Sequence, residues 1–171
     1  MLIIHSSIVL ILHKAKPCTL GSYHSCGNFI AASSSFVAFN WDTIGSSLAV
    51  LPLTASGRPD KASIPRVDGH SDMVTDFAFS PFDDGLLVTG SQDQNIKLWR
   101  IPEKGLVTSL STPEMALPEQ PRKVETVGFN PAVHGILASS CGTSASVWDF
   151  SVGSQIFEFG EHEDKVNIAY C

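Results

Sequence analysis

Apolar and polar residues along this chain change places in short runs, with no long amphipathic stretch. Phe36-Val-Ala-Phe-Asn40, Ser47-Leu-Ala-Val-Leu-Pro-Leu53, Val74-Thr-Asp-Phe-Ala-Phe79, Leu86-Leu-Val-Thr-Gly90 and Ile96-Lys-Leu-Trp-Arg-Ile101 are rich in β-branched and aromatic residues. The first four are each followed by a turn former: Asp42-Thr-Ile-Gly45, a Gly/Pro-rich segment after Leu53, Ser80-Pro-Phe-Asp-Asp-Gly85 and Gln92-Asp-Gln-Asn95. No window of about 12 residues places apolar side chains at i, i+3, i+4 and i+7. Strands every 8–12 residues or so, separated by Gly, Pro, Asp and Asn, predict an all-β architecture. No helix longer than about two turns is expected in residues 28–170.

The series then repeats. Val124-Glu-Thr-Val-Gly-Phe-Asn-Pro131 has the shape of Val74-Thr-Asp-Phe-Ala-Phe-Ser-Pro81. Gly135-Ile-Leu-Ala-Ser-Ser140 parallels Gly85-Leu-Leu-Val-Thr-Gly90, and Val147-Trp-Asp-Phe150 parallels Leu98-Trp-Arg-Ile101. His162-Glu-Asp-Lys-Val166 opens a third copy of His70-Ser-Asp-Met-Val74. Starts at Val74, Val124 and Val166 give intervals of about 50 and about 40 residues, the mark of a WD-repeat β-propeller with four strands per blade. The expected blades cover about residues 28–67, 74–117 and 124–159, with the first strand of another at Val166. A closed propeller needs more blades than these, so residues 27–171 read as an incomplete propeller and the chain as a fragment. Because repeats are stabilised by their neighbours, it is expected to be marginal alone, with open sheet edges prone to association.

Gly69-His70 with Trp99 makes residues 69–100 a WD repeat, and His70, Thr89, Asp93 and Trp99 fit its hydrogen-bonding tetrad. The hairpin between second and third strands has amides that need an acceptor, and Asp93 supplies a carboxylate. His70, held by Thr89 and Trp99, would fix that carboxylate across the blade. The same spacing explains His70 and Asp93 structurally, which argues against an acid–base pair. The next repeat keeps Ser139 and Trp148. It has Gln120 in the histidine position and a shorter turn, Cys141-Gly-Thr-Ser144, without an aspartate, so its blade is expected to be weaker.

A narrower set of residues carries a family likeness. Phe39-Asn-Trp-Asp42, Gly45, Leu51-Pro-Leu53, Gly57-Arg-Pro-Asp-Lys61, Gly69-His70 and Ile101-Pro-Glu-Lys-Gly-Leu106 resemble the first two blades of a coronin. Val74-Thr-Asp-Phe77 and Ser80-Pro-Phe-Asp-Asp84 make residues 69–100 most similar to the long coronins that carry two propellers in tandem. The resemblance implies a seven-bladed WD40 β-propeller, of which this chain is a part, and with it actin-filament binding, cytoskeletal organisation and Golgi and post-Golgi trafficking, by a cytoplasmic protein of the cytosol, Golgi or actin cortex. Filaments are acidic, so basic contacts are expected. The local candidates are Arg58 and Lys61 after Leu53, Lys104 after Trp99, and Arg122-Lys123 before the third blade. Coronins usually have a basic stretch near the first blade. An apolar leader replaces it here, so this chain alone is expected to bind filaments weakly.

Composition narrows the alternatives. The chain is 43% hydrophobic and 16% charged, with 11 Lys and Arg against 17 Asp and Glu and a net charge of −6. A chain this acidic is not a general nucleic-acid binder. No phosphate-binding loop, nucleophile elbow or zinc-protease motif occurs, so neither an enzyme, a cofactor nor a small-molecule substrate is expected. Asp83-Asp84 reads as a turn pair before Gly85. Cys18, Cys26, Cys141 and Cys171 include no C-x-x-C pair and read as free thiols of a reducing compartment. His5, His13, Cys18, His24 and Cys26 are too irregularly spaced for a metal site. The apolar start, Met1–Leu12, is short of the roughly 20 residues of a spanning helix and has its lysines, Lys14 and Lys16, after the apolar run. Residues 1–26 are therefore taken as an atypical leader rather than a signal. Propeller loops present themselves to other proteins, which keeps two further readings: a generic WD scaffold in trafficking or ubiquitin-ligase assemblies, and a secreted or tethered protein that uses the leader.

Overall fold

The computed structural model describes residues 28–41, 45–55, 64–160 and 166. Among these the regular structure is all β, in three four-stranded antiparallel sheets whose strands lie side by side in chain order. The first holds β1 (Ile30–Ala32), β2 (Phe36–Asn40), β3 (Ser47–Pro52) and β4 (Arg66–Asp68). The second holds β5 (Val74–Phe79), β6 (Leu86–Ser91), β7 (Ile96–Arg100) and β8 (Met115–Ala116). The third holds β9 (Thr126–Phe129), β10 (Ile136–Cys141), β11 (Ser144–Asp149) and β12 (Ser154–Phe159).

Turn chemistry recurs from sheet to sheet. Between first and second strands, a short polar side chain accepts the amide hydrogens of the residues that follow it. Ser33 Oγ takes those of Ser35 and Phe36, Asp83 Oδ1 that of Gly85, and Asn130 Oδ1 those of Ala132 and Val133. Asp83 thus makes the turn its sequence suggests. In such a meander the first-to-second and third-to-fourth connections lie at one end of the sheet. The second-to-third hairpin and the link to the next sheet lie at the other.

Three apolar layers hold the sheets. Phe36, Ala38, Leu48 and Val50 of the first sheet meet Val74, Phe77, Leu87 and Trp99 of the second. Leu86, Val88, Ile96 and Leu98 on the opposite face of the second sheet meet Val127, Phe129, Leu137 and Trp148 of the third. Val37, Phe39, Ala49, Leu51 and Ile64 form a third layer on the far side of the first sheet. Packing between the second and third sheets is tight at Gly90. A Cβ there would lie 2.6 Å from Val124 Cγ1 and 2.9 Å from Val127 Cγ1.

A backbone bond ties each sheet to a valine in the chain that follows its fourth strand. Val74 N donates to Gly45 O at 2.8 Å, Val124 N to Ser91 O at 3.1 Å, and Val166 N to Gly142 O at 3.1 Å. Two strand limits differ from the sequence-based ones: β9 begins at Thr126 rather than Val124, and β7 ends at Arg100 rather than Ile101, although the Ile101 amide still donates to Gly85 O at 2.8 Å. The strands at the sheet borders also differ. β4 and β8 have three and two residues, whereas all six residues of β12 are exposed.

Candidate functional site

The link from β4 to β5 carries His70 toward the β6–β7 hairpin, where Asp93 sits. Thr89 on β6 and Trp99 on β7 lie between them and the core. The chemistry of the partners fixes the direction of each bond. A carboxylate only accepts, so His70 Nδ1–H donates to Asp93, 2.9 Å to Oδ2 and 3.1 Å to Oδ1. The neutral ring then accepts the Thr89 hydroxyl hydrogen at Nε2, 2.7 Å away. Thr89 Oγ1 in turn accepts the Trp99 indole N–H at 2.9 Å. Trp99 therefore reaches His70 only through Thr89 and by an edge-on ring contact, with centroids 6.2 Å apart. Asp93 also accepts the amides of Ser71 and Asn95, both at 3.0 Å. The four side chains thus sew the inter-sheet link to the hairpin. Gly69 admits the link: a Cβ there would lie 2.6 Å from Trp99 Cη2 and 2.8 Å from Ser111 O.

Electrostatics agree with this assignment. Burial pushes the His70 pKa below its ordinary value, against the pull of Asp93, and leaves the ring neutral at pH 7. Burial alone would raise the Asp93 carboxyl. The attraction and hydrogen bond of His70, with the amides of Ser71 and Asn95, outweigh it and hold the carboxyl at about 2. The pair is enclosed, with side-chain exposures of 2% and 5%. A general base needs a substrate within hydrogen-bond reach, and this pair is spent on backbone amides and Thr89.

The third sheet holds a shortened version. Trp148 Nε1 donates to Ser139 Oγ at 2.9 Å. Gln120 does not continue the chain of bonds, since its side-chain amide donates to Pro118 O at 2.7 Å. The Gly142-Thr143 turn brings no carboxylate. In that region Cys141, a buried free thiol, donates to Arg122 O at 3.2 Å.

Lys104, Arg122 and Lys123, the basic candidates among the described residues, do not form one patch. Lys104 is exposed in the β7–β8 connection, at the end of the first-to-second turns. Arg122 and Lys123 lie in the β8–β9 link, at the opposite end, with the Asp93 hairpin. Lys123 Nζ is 3.3 Å from Glu125 Oε1 and partly neutralised. Arg58 and Lys61 fall between β3 and β4, outside the described residues, as do the apolar leader, its His/Cys cluster, and Cys18, Cys26 and Cys171. Among the described residues no group of His, Cys, Asp or Glu could hold a metal ion, and no helix is long and apolar enough to cross a membrane.

Sequence reading missed two polar bridges between sheets. Asp84, expected only to shape a turn, accepts the hydroxyls of Ser34 and Ser35 from the first sheet. Asp76, lost among the apolar residues of β5, is bonded to three sheets at once. A charged residue inside an otherwise apolar strand was the one signal that could have revealed it.

A four-stranded antiparallel meander that recurs three times, its second copy carrying a His–Thr–Asp–Trp tetrad, defines the blades of a WD-repeat propeller. Residues 62–100 match the family described as WD domain, G-beta repeat, and residues 16–58 match a domain of unknown function, DUF1899. Human Coronin-7 is 42% identical over 149 residues, 87% of this chain and 16% of its own. Coronin-A of Dictyostelium discoideum is 43% identical over 91 residues, 53% of this chain and 20% of its own. The crystal structure of the WD40 domain from Toxoplasma gondii coronin superposes with a TM-score of 0.73 at 31% identity, covering 82% of this chain and 36% of that one. The chain is a coronin-type WD-repeat protein. It spans about a sixth of the length of the Coronin-7 relatives it matches.

Proposed function

We propose that this chain is an actin-filament-binding module acting in cytoskeletal organisation and in Golgi and post-Golgi trafficking, located in the cytosol and at the actin cortex or Golgi. It works by binding rather than by catalysis. The observation that carries this reading is the 42% identity to Coronin-7 over 149 residues, a span that takes in all three sheets. The placement of the cations refines it. Lys104 belongs to the third-to-fourth connection of the second sheet, and Arg58 and Lys61 belong to the corresponding connection of the first. These three are proposed as the filament contacts, while Arg122 and Lys123 serve the opposite end.

Cosedimentation with actin filaments tests the reading. The chain is expected to pellet weakly with filaments at low salt and to be released as salt shortens the Debye length below about 8 Å. A chain that stays in the supernatant at every concentration at low salt supports the other class, a WD scaffold without actin contact.

A further inference from the structure

Asp76 stands in the middle of β5, the first strand of the second sheet, and is 4% exposed. Its Oδ1 accepts the amide hydrogens of Asn28 at 2.8 Å and Phe77 at 3.0 Å, and its Oδ2 accepts that of Val127 at 3.0 Å. Asn28 leads into β1 of the first sheet, and Val127 lies on β9 of the third. One carboxylate therefore takes amides from all three sheets, where their first strands run side by side.

The local backbone is built for this. Pairing between β5 and β6 slips between Val74 and Asp76, so Thr75 is an extra residue in the ladder. Thr75 Oγ1 lies 3.0 Å from Gly90 O, within its own sheet, and 2.7 Å from Val124 O, at the entry to the third. The close approach at Gly90 leaves no room for a side chain between the two sheets. Among the described residues the charge on Asp76 meets no cation. β1, β6 and β9 carry no titratable side chain, and Glu125, just before β9, is paired with Lys123. A buried carboxylate without a counter-ion is retained only where hydrogen bonds satisfy it, and three amides do so here. The repeat does not generate this feature. Glu125 and Thr126 hold the positions of Thr75 and Asp76 in the third sheet, and Thr126 pairs with Ser140 Oγ at 2.7 Å.

We infer that Asp76 is a three-way clamp that makes the three sheets open and close as one unit at the axis. Oδ1 and Oδ2 must both accept. Asparagine keeps the shape but turns one acceptor into a donor facing a backbone N–H. Uncoupling, rather than general loosening, is therefore the effect of losing the carboxylate.

Amide hydrogen exchange on the 171-residue chain tests the clamp. In the parent, the amides of Asn28, Phe77 and Val127 are expected to exchange at a common rate, because one opening frees all three. In Asp76→Asn, exchange at Asn28 or Val127 is expected to rise roughly tenfold or more, the effect of one unsatisfied buried partner. The Trp148 indole N–H, in the core of the third sheet, should keep its parent rate. Parent amides that exchange independently, with Asn28 far faster than Val127, overturn the clamp. So does an Asp76→Asn chain with unchanged protection at both sites, or one in which Trp148 accelerates equally. If Asp76→Asn does not fold, the common rate in the parent decides the matter alone.

Discussion

Trp148 donates its indole N–H to Ser139 Oγ at 2.9 Å, the same bond at the same distance that Trp99 makes to Thr89. Only the second of these pairs continues to a histidine and an aspartate. The two blades share their tryptophan anchor and differ in what the anchor holds, so they should differ in what a mutation costs.

Asp93→Ala should lower stability by about 1–3 kcal/mol, because it leaves the amides of Ser71 and Asn95 and the ring of His70 without an acceptor. Thr143→Ala, in the equivalent hairpin of the third sheet, should stay within about 0.5 kcal/mol of the parent. Thermal midpoints of the two variants measured side by side check this. Equal losses would contradict the tetrad reading.

The acid limb of stability follows from the same pair. His70 has a lowered pKa in the fold, so below its ordinary value of 6.5 the unfolded chain takes up a proton that the folded ring refuses, and stability falls. Asp93 is held at about 2 against an ordinary 3.8, so its contribution is present above 3.8 and is lost as pH falls through that range. Asp76 acts in the opposite sense, since burial raises its carboxyl above 3.8. Urea midpoints from pH 7 to pH 2 should therefore decline in two steps. In Asp93→Asn the lower step should flatten.

Gly90→Ala should destabilise the chain by about 1–3 kcal/mol, since the added methyl must displace Val124 and Val127 at the junction of two sheets. Chemical unfolding of the variant checks the size of the effect. A midpoint equal to the parent's would mean that the two sheets part easily there.

Sequence pattern located the middle strands of each sheet and β5 well and the short outer strands β4 and β8 poorly, for a physical reason. β2, β3, β6 and β7 are packed in or against the buried layers, so their side chains must be apolar or β-branched. Arg66–Asp68 and Met115–Ala116 are two or three residues at the rim, where the backbone pairs but the side chains are not selected for burial. The tetrad was legible because its chemistry demands particular residue types at fixed places in a repeat. The Asp76 clamp was not, because its partners are backbone amides, which leave no trace in side-chain identity. The basic residues were visible one by one. The division of Lys104 from Arg122 and Lys123 between opposite ends of the second sheet depends on strand direction, which a count of charges does not contain.

Charge reversal in the cosedimentation assay tests the central claim most directly. Lys104→Glu combined with Arg58→Glu and Lys61→Glu should weaken filament binding about tenfold at low salt, given exposed contacts worth about 0.2–1 kcal/mol each, and the difference should shrink as salt rises. Arg122→Glu, at the opposite end, should bind as the parent does. If the triple reversal pellets with filaments like the parent while Arg122→Glu is released, the filament-facing end has been assigned the wrong way round. If neither change alters binding, the cations do not make the contact at all.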